Sequence, residues 1–386
     1  MAGSIQKTIG AHGTAYLVRV EFPSDPATEK RRQRSKSFKT KKEAEKALAE
    51  WLVEIERGTA VDGTKMTTGA YLTYWLDTHG HNLRPATMQQ YRSLVSAHLI
   101  PSLGTVPLMK LSPAHLTALY AEKRKRGRRD GQGGLSPRTV RHLHAIMREA
   151  LDFAVRHQLV VRNVADVIDA PRFARKEMAT WSPDEIQRFL AVTADHAYSP
   201  IWLLYITTGL RRGEGLGLRW RDVDFTTGRL NVVQSVVDVG GHACIQEPKT
   251  AAARRIVRLS PACVMALREH RTRQVARRLV APTWAEHDLI FTTDDGGPIN
   301  PRNLARAFDL LQSKAGVTRI RVHDLRHTHA TLLFNDGQNV KMISQRLGHS
   351  DVSITLSVYA HLAPDAQDIA AASIDGLIFR TAREAS

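Results

Sequence analysis

The sequence predicts a multi-domain, mainly α protein. It reads as a small N-terminal β-sheet plus helix domain, a helical middle domain, and a mostly α C-terminal domain carrying a small antiparallel sheet. Three observations predict this. At 386 residues the chain exceeds one ordinary domain. Its apolar residues alternate at period two only near the N-terminus and between Arg229 and Leu259, and follow helical spacing almost everywhere else. A Gly/Thr-rich stretch at 58–69 and a break at 171–180 divide it into segments placed at 1–60, 67–169 and 178–386. Hydrophobic residues are 42% of the chain, enough to furnish real cores.

In the first segment, residues 14–22 alternate well enough for a strand, and 35–38 suggest a second. The run from Glu29 to Lys36, continued by Lys39, Lys41 and Lys42, makes this sheet heavily basic. That suits a DNA reader, and a solvated hairpin is the plainer alternative. Thr40 is placed to cap a helix through Ala44, Ala47, Leu48, Trp51 and Ile55, ending before Gly58. Residues 58–69 read as a linker.

The second segment reads as all helical. Met88, Tyr91, Leu94, Val95 and His98 give residues 87–100 a helical face, which Pro101 to Pro107 are expected to interrupt. Ser112-Pro113 and Ser136-Pro137 each look like an N-cap followed by proline in the first turn. The helix from Pro137 would bury Val140, Leu143, Ile146, Met147, Leu151 and Val155. The basic run Lys123 to Arg129 suits either phosphate contacts or the negative end of a helix.

The third segment opens on a capping box, Ser182 with Glu185 three residues on. Helices follow through Phe189 and Ile206, and Gly209 suits a left-handed C-cap. Strands are expected at 229–239, 242–250 and 253–259, and helices return from Pro261.

The formal net charge of +17 favours a polyanionic partner, nucleic acid first. Affinity for it should fall steeply with salt. Cys244 and Cys263 are far from any His-Cys cluster and read as free thiols in a reducing compartment. No signal-like segment or bilayer-length apolar run is present, so no membrane partner and a cytoplasmic location are expected.

The chemistry lies in a few positions. Arg211 follows the Thr207-Thr208-Gly209-Leu210 turn, in the first turn of a helix expected to reach Leu218. There a guanidinium joins free backbone N–H groups, and Glu214 would orient it. His323 and Arg326, three apart at a helix start, leave the same face. His327 and His329 extend a histidine-rich stretch. A zinc reading of it has only Asp324 as an acidic partner, and structural roles suit His327 or His329. His349 follows Gly348, the expected C-cap of the helix from Val340. Tyr359, ten residues further on, would lie in the third turn of the next helix. Free tyrosine, with a pKa of about 10, is a poor nucleophile near neutrality, and a pocket of two arginines and a histidine would favour its phenolate. Lys249, at the end of a strand, is placed to protonate a departing sugar oxygen, or is merely a surface lysine. Together the set suits attack on a phosphodiester without a metal or other cofactor.

These strings resemble the tyrosine recombinase (phage integrase) family. They are Thr208-Gly209-Leu210-Arg211-Arg212-Gly213-Glu214, Lys249 in a hairpin, His323-Asp324-Leu325-Arg326-His327, Leu347-Gly348-His349 and Tyr359-Ala360-His361. Pro85-Ala86-Thr87 with Tyr91, and the bend Ile100 to Gly104, look like the family's core-binding domain. The first sixty residues look like the arm-binding domain of its longer integrases. The resemblance implies that Arg211 and Arg326 clamp the scissile phosphate, that His323 and His349 assist, and that Lys249 protonates the 5′-hydroxyl. Tyr359 would become the 3′-phosphotyrosine. It also implies core and arm sites on double-stranded DNA, a synaptic homotetramer, a host DNA-bending protein and a separate directionality factor. The apolar residues between 366 and 379 would dock on a neighbouring protomer or on their own domain. Gly215 departs from the pattern, where an aliphatic residue is expected. A supercoil-relaxing type IB topoisomerase and a catalytically silent DNA-binding regulator are the rival readings.

Overall fold

The computed structural model describes residues 3–10, 13–22, 32–56, 66–128, 130–172, 178–247, 254–348, 351–352 and 374. The chain divides into two compact units, Met1–Arg175 and Lys176–Ser386.

The first unit begins with an antiparallel sheet of β1 (Gly3–Gly10), β2 (Gly13–Phe22) and β3 (Arg32–Phe38), in that order. Alternation along β2 turns Val18 and Val20 inward, where they are fully buried with Ala44 and Trp51 of α1 (Lys41–Glu56). Thr40 caps α1 as expected. Its hydroxyl accepts from Glu43 N at 3.3 Å and its own N–H donates back to the Glu43 carboxylate. The sequence reading missed β1, because of its side chains only Ile5 and Ile9 are large and apolar, and Ile9 is exposed. The ladder to β2 stabilises that strand.

The helical part starts earlier than expected. Thr67 accepts from Ala70 N and caps α2 (Thr68–His79), so Gly69 is a helix residue, not linker. A Cβ there would come within 2.9 Å of Gly104 Cα, so glycine permits this close backbone approach. Residues 57–65 lie outside the described part. The interruption expected at Pro101 to Pro107 falls at Gly104, past the first proline. α3 (Pro85–Leu94) runs through a π turn (Val95–Leu99) into α4 (Ile100–Leu103), and the chain leaves the helix at Gly104. Ile100 N donates to Val95 O, and this widened turn admits a proline that lacks a donor. α5 (Pro113–Lys125) and α6 (Pro137–Arg156) begin where the Ser-Pro pairs put them, and Ser136 Oγ accepts from Thr139 N at 3.1 Å. The α6 residues Val140, Leu143, Ile146, Met147 and Leu151 are buried with Tyr71, Trp75 and Leu99, and Val155 is half-buried. In the basic run that ends α5, Lys123 is buried and pairs with Glu122 at 3.0 Å.

The second unit opens with α7 (Pro183–Val192), capped by the Ser182–Glu185 box. α8 (Ser199–Thr208) is apolar almost all round, and its Trp202 and Tyr205 sit fully buried with Phe189 and Phe308. α9 (Arg212–Leu216) follows. It stops short of the expected Leu218, because Gly217 lies against Ser235, where a Cβ would meet Cα at 2.8 Å.

The expected single sheet is two. β4 (Val223–Asp224), β5 (Arg229–Val232) and β8 (Arg255–Arg258) form one, in that order, and β6 (Ser235–Val239) pairs with β7 (His242–Gln246) in the other. The expected strand 229–239 breaks at Val233-Gln234, where the Gln234 amide donates to Gly217 O. α10 (Pro261–Val280), α11 (Pro301–Ala315), α12 (Asp324–Asn335) and α13 (Val340–Leu347) complete the described elements. No helix among the described residues is long and apolar enough to cross a membrane.

Candidate active site

In the second unit, the start of α9, hairpin β6–β7, α11 and the start of α12 surround a cleft of about 820 Å³. Arg211, Glu214, Asp238, Asp309, Arg321, His323 and Gly348 line it, over an apolar floor that includes Val236 and Phe308.

Arg211 is the extended N-cap residue of α9, one position before the first turn where it was expected. α9 spans five residues, too short for its own N–H groups to make an anion site, so the positive charge here is the guanidinium's. Glu214 orients it. The Glu214 carboxylate accepts from Arg211 N at 2.9 Å and from Arg211 Nη1 at 2.7 Å. Arg211 Nη2 donates to Gly348 O at 3.1 Å. Burial by itself would raise the Glu214 pKa, but Arg255 and then Arg211 hold it below the usual carboxylate range.

Arg326 is buried, 2% exposed, and its Nη1 donates to Gly209 O at 2.8 Å. Gly209 adopts φ +65°, the left-handed C-cap of α8. A Cβ on it would stand 2.7 Å from both His329 and Leu347, so this glycine lets three elements meet. His323 precedes α12 with an exposed edge toward the cleft. Crowding by surrounding protein, then His327 and Arg326, lowers its pKa to about 4, so its imidazole is neutral near pH 7. His327 packs edge-on against it at 5.4 Å.

His329 is structural. Arg346 Nε donates to its Nε2 at 3.1 Å, which leaves Nδ1–H to donate to Ile206 O at 2.9 Å. Asp324, the acidic partner a zinc reading requires, is engaged by Arg321 through bonds of 2.9 and 2.7 Å. Among the described residues no group of three or more histidine, cysteine or acidic side chains is placed to hold a metal.

Of the six expected site residues, Arg211 and His323 share the cleft, and Arg326 is tied to the same Gly209 turn. Lys249, His349 and Tyr359 lie outside the described residues. Sequence reasoning missed Arg255 and Arg346. Arg255 Nη2 meets Glu214 at 2.9 Å and its Nε donates to Arg346 O, while Arg346 Nη2 donates to Thr207 O. Period-two alternation with Val257, and the i, i+3 relation of Arg346 to Ile343, marked both as inward-facing.

Comparison with known proteins decides the family. Residues 180–365 match the phage integrase family, 67–123 the phage integrase N-terminal SAM-like domain, and 5–55 an arm DNA-binding domain. The chain belongs to the phage integrase family. Its members are the tyrosine recombinases, and this recombinase is similar over nearly its whole length to curated relatives. A protein named tyrosine recombinase XerC-like, from Caldanaerobacter subterraneus, is 29% identical, covering 96% of this chain and 95% of the relative. The ICEBs1 integrase of Bacillus subtilis is 25% identical, covering 94% and 97%. Among solved structures, the Tn1549 transposon integrase in complex with a circular intermediate DNA superposes with a TM-score of 0.67 at 21% identity. It covers 80% of the recombinase and 99% of that chain, and shows a shared fold. The family departure at Gly215 now has a cause. A Cβ there would lie 2.4 Å from the Tyr205 ring, so the buried tyrosine fills the space an aliphatic side chain would take. Tyr205 Oη also donates to Arg212 O at 2.6 Å, bracing the first turn of α9.

Proposed function

We propose that this recombinase cuts and rejoins double-stranded DNA through a 3′-phosphotyrosine intermediate, and so integrates and excises a phage or other mobile element. The observation that carries the reading is the joint tethering of Arg211 and Arg326. One donates to Gly348 O, next to His349, and the other to Gly209 O, two residues before Arg211. Both guanidinium groups thus belong to one small framework beside His323, as a clamp on a single phosphate requires.

In this mechanism the Tyr359 oxygen attacks phosphorus and its proton passes to a base. The bond from phosphorus to the 5′-oxygen breaks, and Lys249 gives that oxygen a proton. Arg211 and Arg326 bind the non-bridging oxygens, while His323 and His349 hydrogen-bond and move protons. A neutral His323 is able to accept one. The number of phosphoester bonds is conserved, so neither ATP nor a metal enters the balance.

The matched SAM-like and arm DNA-binding regions support a three-part organisation at 1–60, 67–169 and 178–386. The first two parts would bind arm and core sites. A synaptic homotetramer, a host bending protein and a directionality factor complete the assignment, in the cytoplasm of a bacterial host. Support for DNA as partner comes from the charge of +17 and from the relatives solved on DNA, among them a lambda integrase tetramer bound to a Holliday junction.

The test uses purified protein, nicked duplexes carrying a sequence the protein retains, and EDTA, resolved on a denaturing gel. A covalent protein–DNA band is expected, and Tyr359→Phe should abolish it. A band that persists in Tyr359→Phe would move the nucleophile elsewhere. Absence of a band on a bound site would favour a silent regulator.

A further inference from the structure

We infer that Arg255 is a positioning residue for strand cleavage, which sets both the aim and the effective charge of Arg211. The inference rests on the catalytic reading above. Three arginine and carboxylate groups form a chain ending at the turn before His349. Arg255 lies on the inward face of β8, with its side chain 6% exposed beside a Glu214 side chain 5% exposed. Its Nη1 and Nη2 donate to the two Glu214 oxygens at 3.2 and 2.9 Å. The opposite edge of the same carboxylate holds Arg211 N and Nη1.

The two arginines also grip the same helix end. Arg255 Nε donates to Arg346 O at 2.9 Å, and Arg211 Nη2 donates to Gly348 O at 3.1 Å. These are carbonyls at the C-terminus of α13, which its own hydrogen bonds leave open and which attract cations. Glu214 therefore ties a phosphate-facing arginine to the backbone immediately before His349. Arg211, with a side chain 38% exposed, is the only member of the trio open to a ligand.

The charge balance gives Arg255 a consequence beyond packing. One buried carboxylate is shared by two guanidinium groups, so the trio carries a net positive charge, expressed at Arg211. Without Arg255 the carboxylate falls wholly to Arg211. Its charge then cancels the field meant for the phosphate and draws the guanidinium back toward α9. Removing that carboxylate should restore the field.

The experiment measures the rate of covalent complex formation on the nicked duplex, with DNA affinity and thermal unfolding measured beside it, for the full chain. Arg255→Met should slow cleavage by roughly ten- to a hundredfold while DNA affinity stays within about twofold. The Arg255→Met, Glu214→Gln double variant should cleave faster than Arg255→Met alone, because glutamine keeps an acceptor for Arg211 and removes the uncompensated charge. Arg255→Lys keeps the charge but not the fork, and should lose less rate than methionine. A double variant as slow as Arg255→Met, or slower, would overturn the inference, as would an affinity loss equal to the rate loss. Should Arg255→Met fail to fold, Arg255→Lys with and without Glu214→Gln decides it. There the second change should slow the enzyme, since no charge is left uncompensated, and a speed-up would overturn the inference. If the unsubstituted protein forms no covalent complex on DNA it binds, the catalytic reading itself has failed.

Discussion

A single Cα at position 209 is where the α8 cap, Arg326, His329 and Leu347 converge, so substitutions there test the site more sharply than removal of a charge. Gly209→Ala forces a side chain into φ +65° and within 2.7 Å of two neighbours. It should cost about 2–4 kcal/mol, read as a lower urea midpoint with unchanged slope. His329 offers a different readout. Burial, then Arg346, lowers its pKa to about 4 from the ordinary 6.5. Between those values the unfolded chain binds more protons than the folded one, so stability falls as pH drops from about 6.5 and levels below about 4. The total is on the order of 3 kcal/mol for this buried ring. Urea unfolding at pH 7 and pH 4.5 should differ less in His329→Gln than in the unsubstituted protein. Equal differences would assign the acid sensitivity to other groups. Arg211, His323 and Arg326 were legible because each sits in a short string with its own local signal. Arg255 was not, because its partners Glu214 and Arg346 are 41 and 91 residues away. Alternation with Val257 shows which way Arg255 faces, but local spacing carries no sign of partners that far along the chain.

Helix starts are the elements the sequence announces most clearly. Ser112, Ser136 and Ser182 each stand beside a proline, so cap and first turn are written in adjacent letters. The Ser182 box goes further than its own helix, since Glu185 also accepts from Thr318 N at 2.8 Å. Ser182→Ala should therefore cost about 1 kcal/mol, as an ordinary cap does. Glu185→Ala should cost more, because it also removes the bond that ties the loop after α11 to this helix start. Thermal melts of the two variants check the order, and an equal loss would mean that the Thr318 bond contributes nothing. Elements defined by distant backbone were harder to read. The strand expected at 229–239 breaks because Gly217 and the Gln234 amide meet across space. The helix crosses Pro101 because a π turn absorbs it. Proline and alternation are local signs, whereas both outcomes were decided by what lies alongside.

At the scale of the molecule, the large clusters of buried residues draw on separate stretches of chain. One uses residues between Val18 and Trp51, one between Tyr71 and Ala165, and one between Trp181 and Leu325. The mainly α character followed from the helical spacing of apolar residues, which is local to each stretch of chain. A fragment of residues 66–172 should consequently unfold in one cooperative transition by circular dichroism. A broad, non-cooperative melt would show that its core depends on the rest of the chain. The same separation bears on synthesis. Among the described residues, none of these three clusters waits for a segment that comes after the next of them has begun. Each core can thus close behind the ribosome in turn, and nascent apolar surface is covered before the following region emerges.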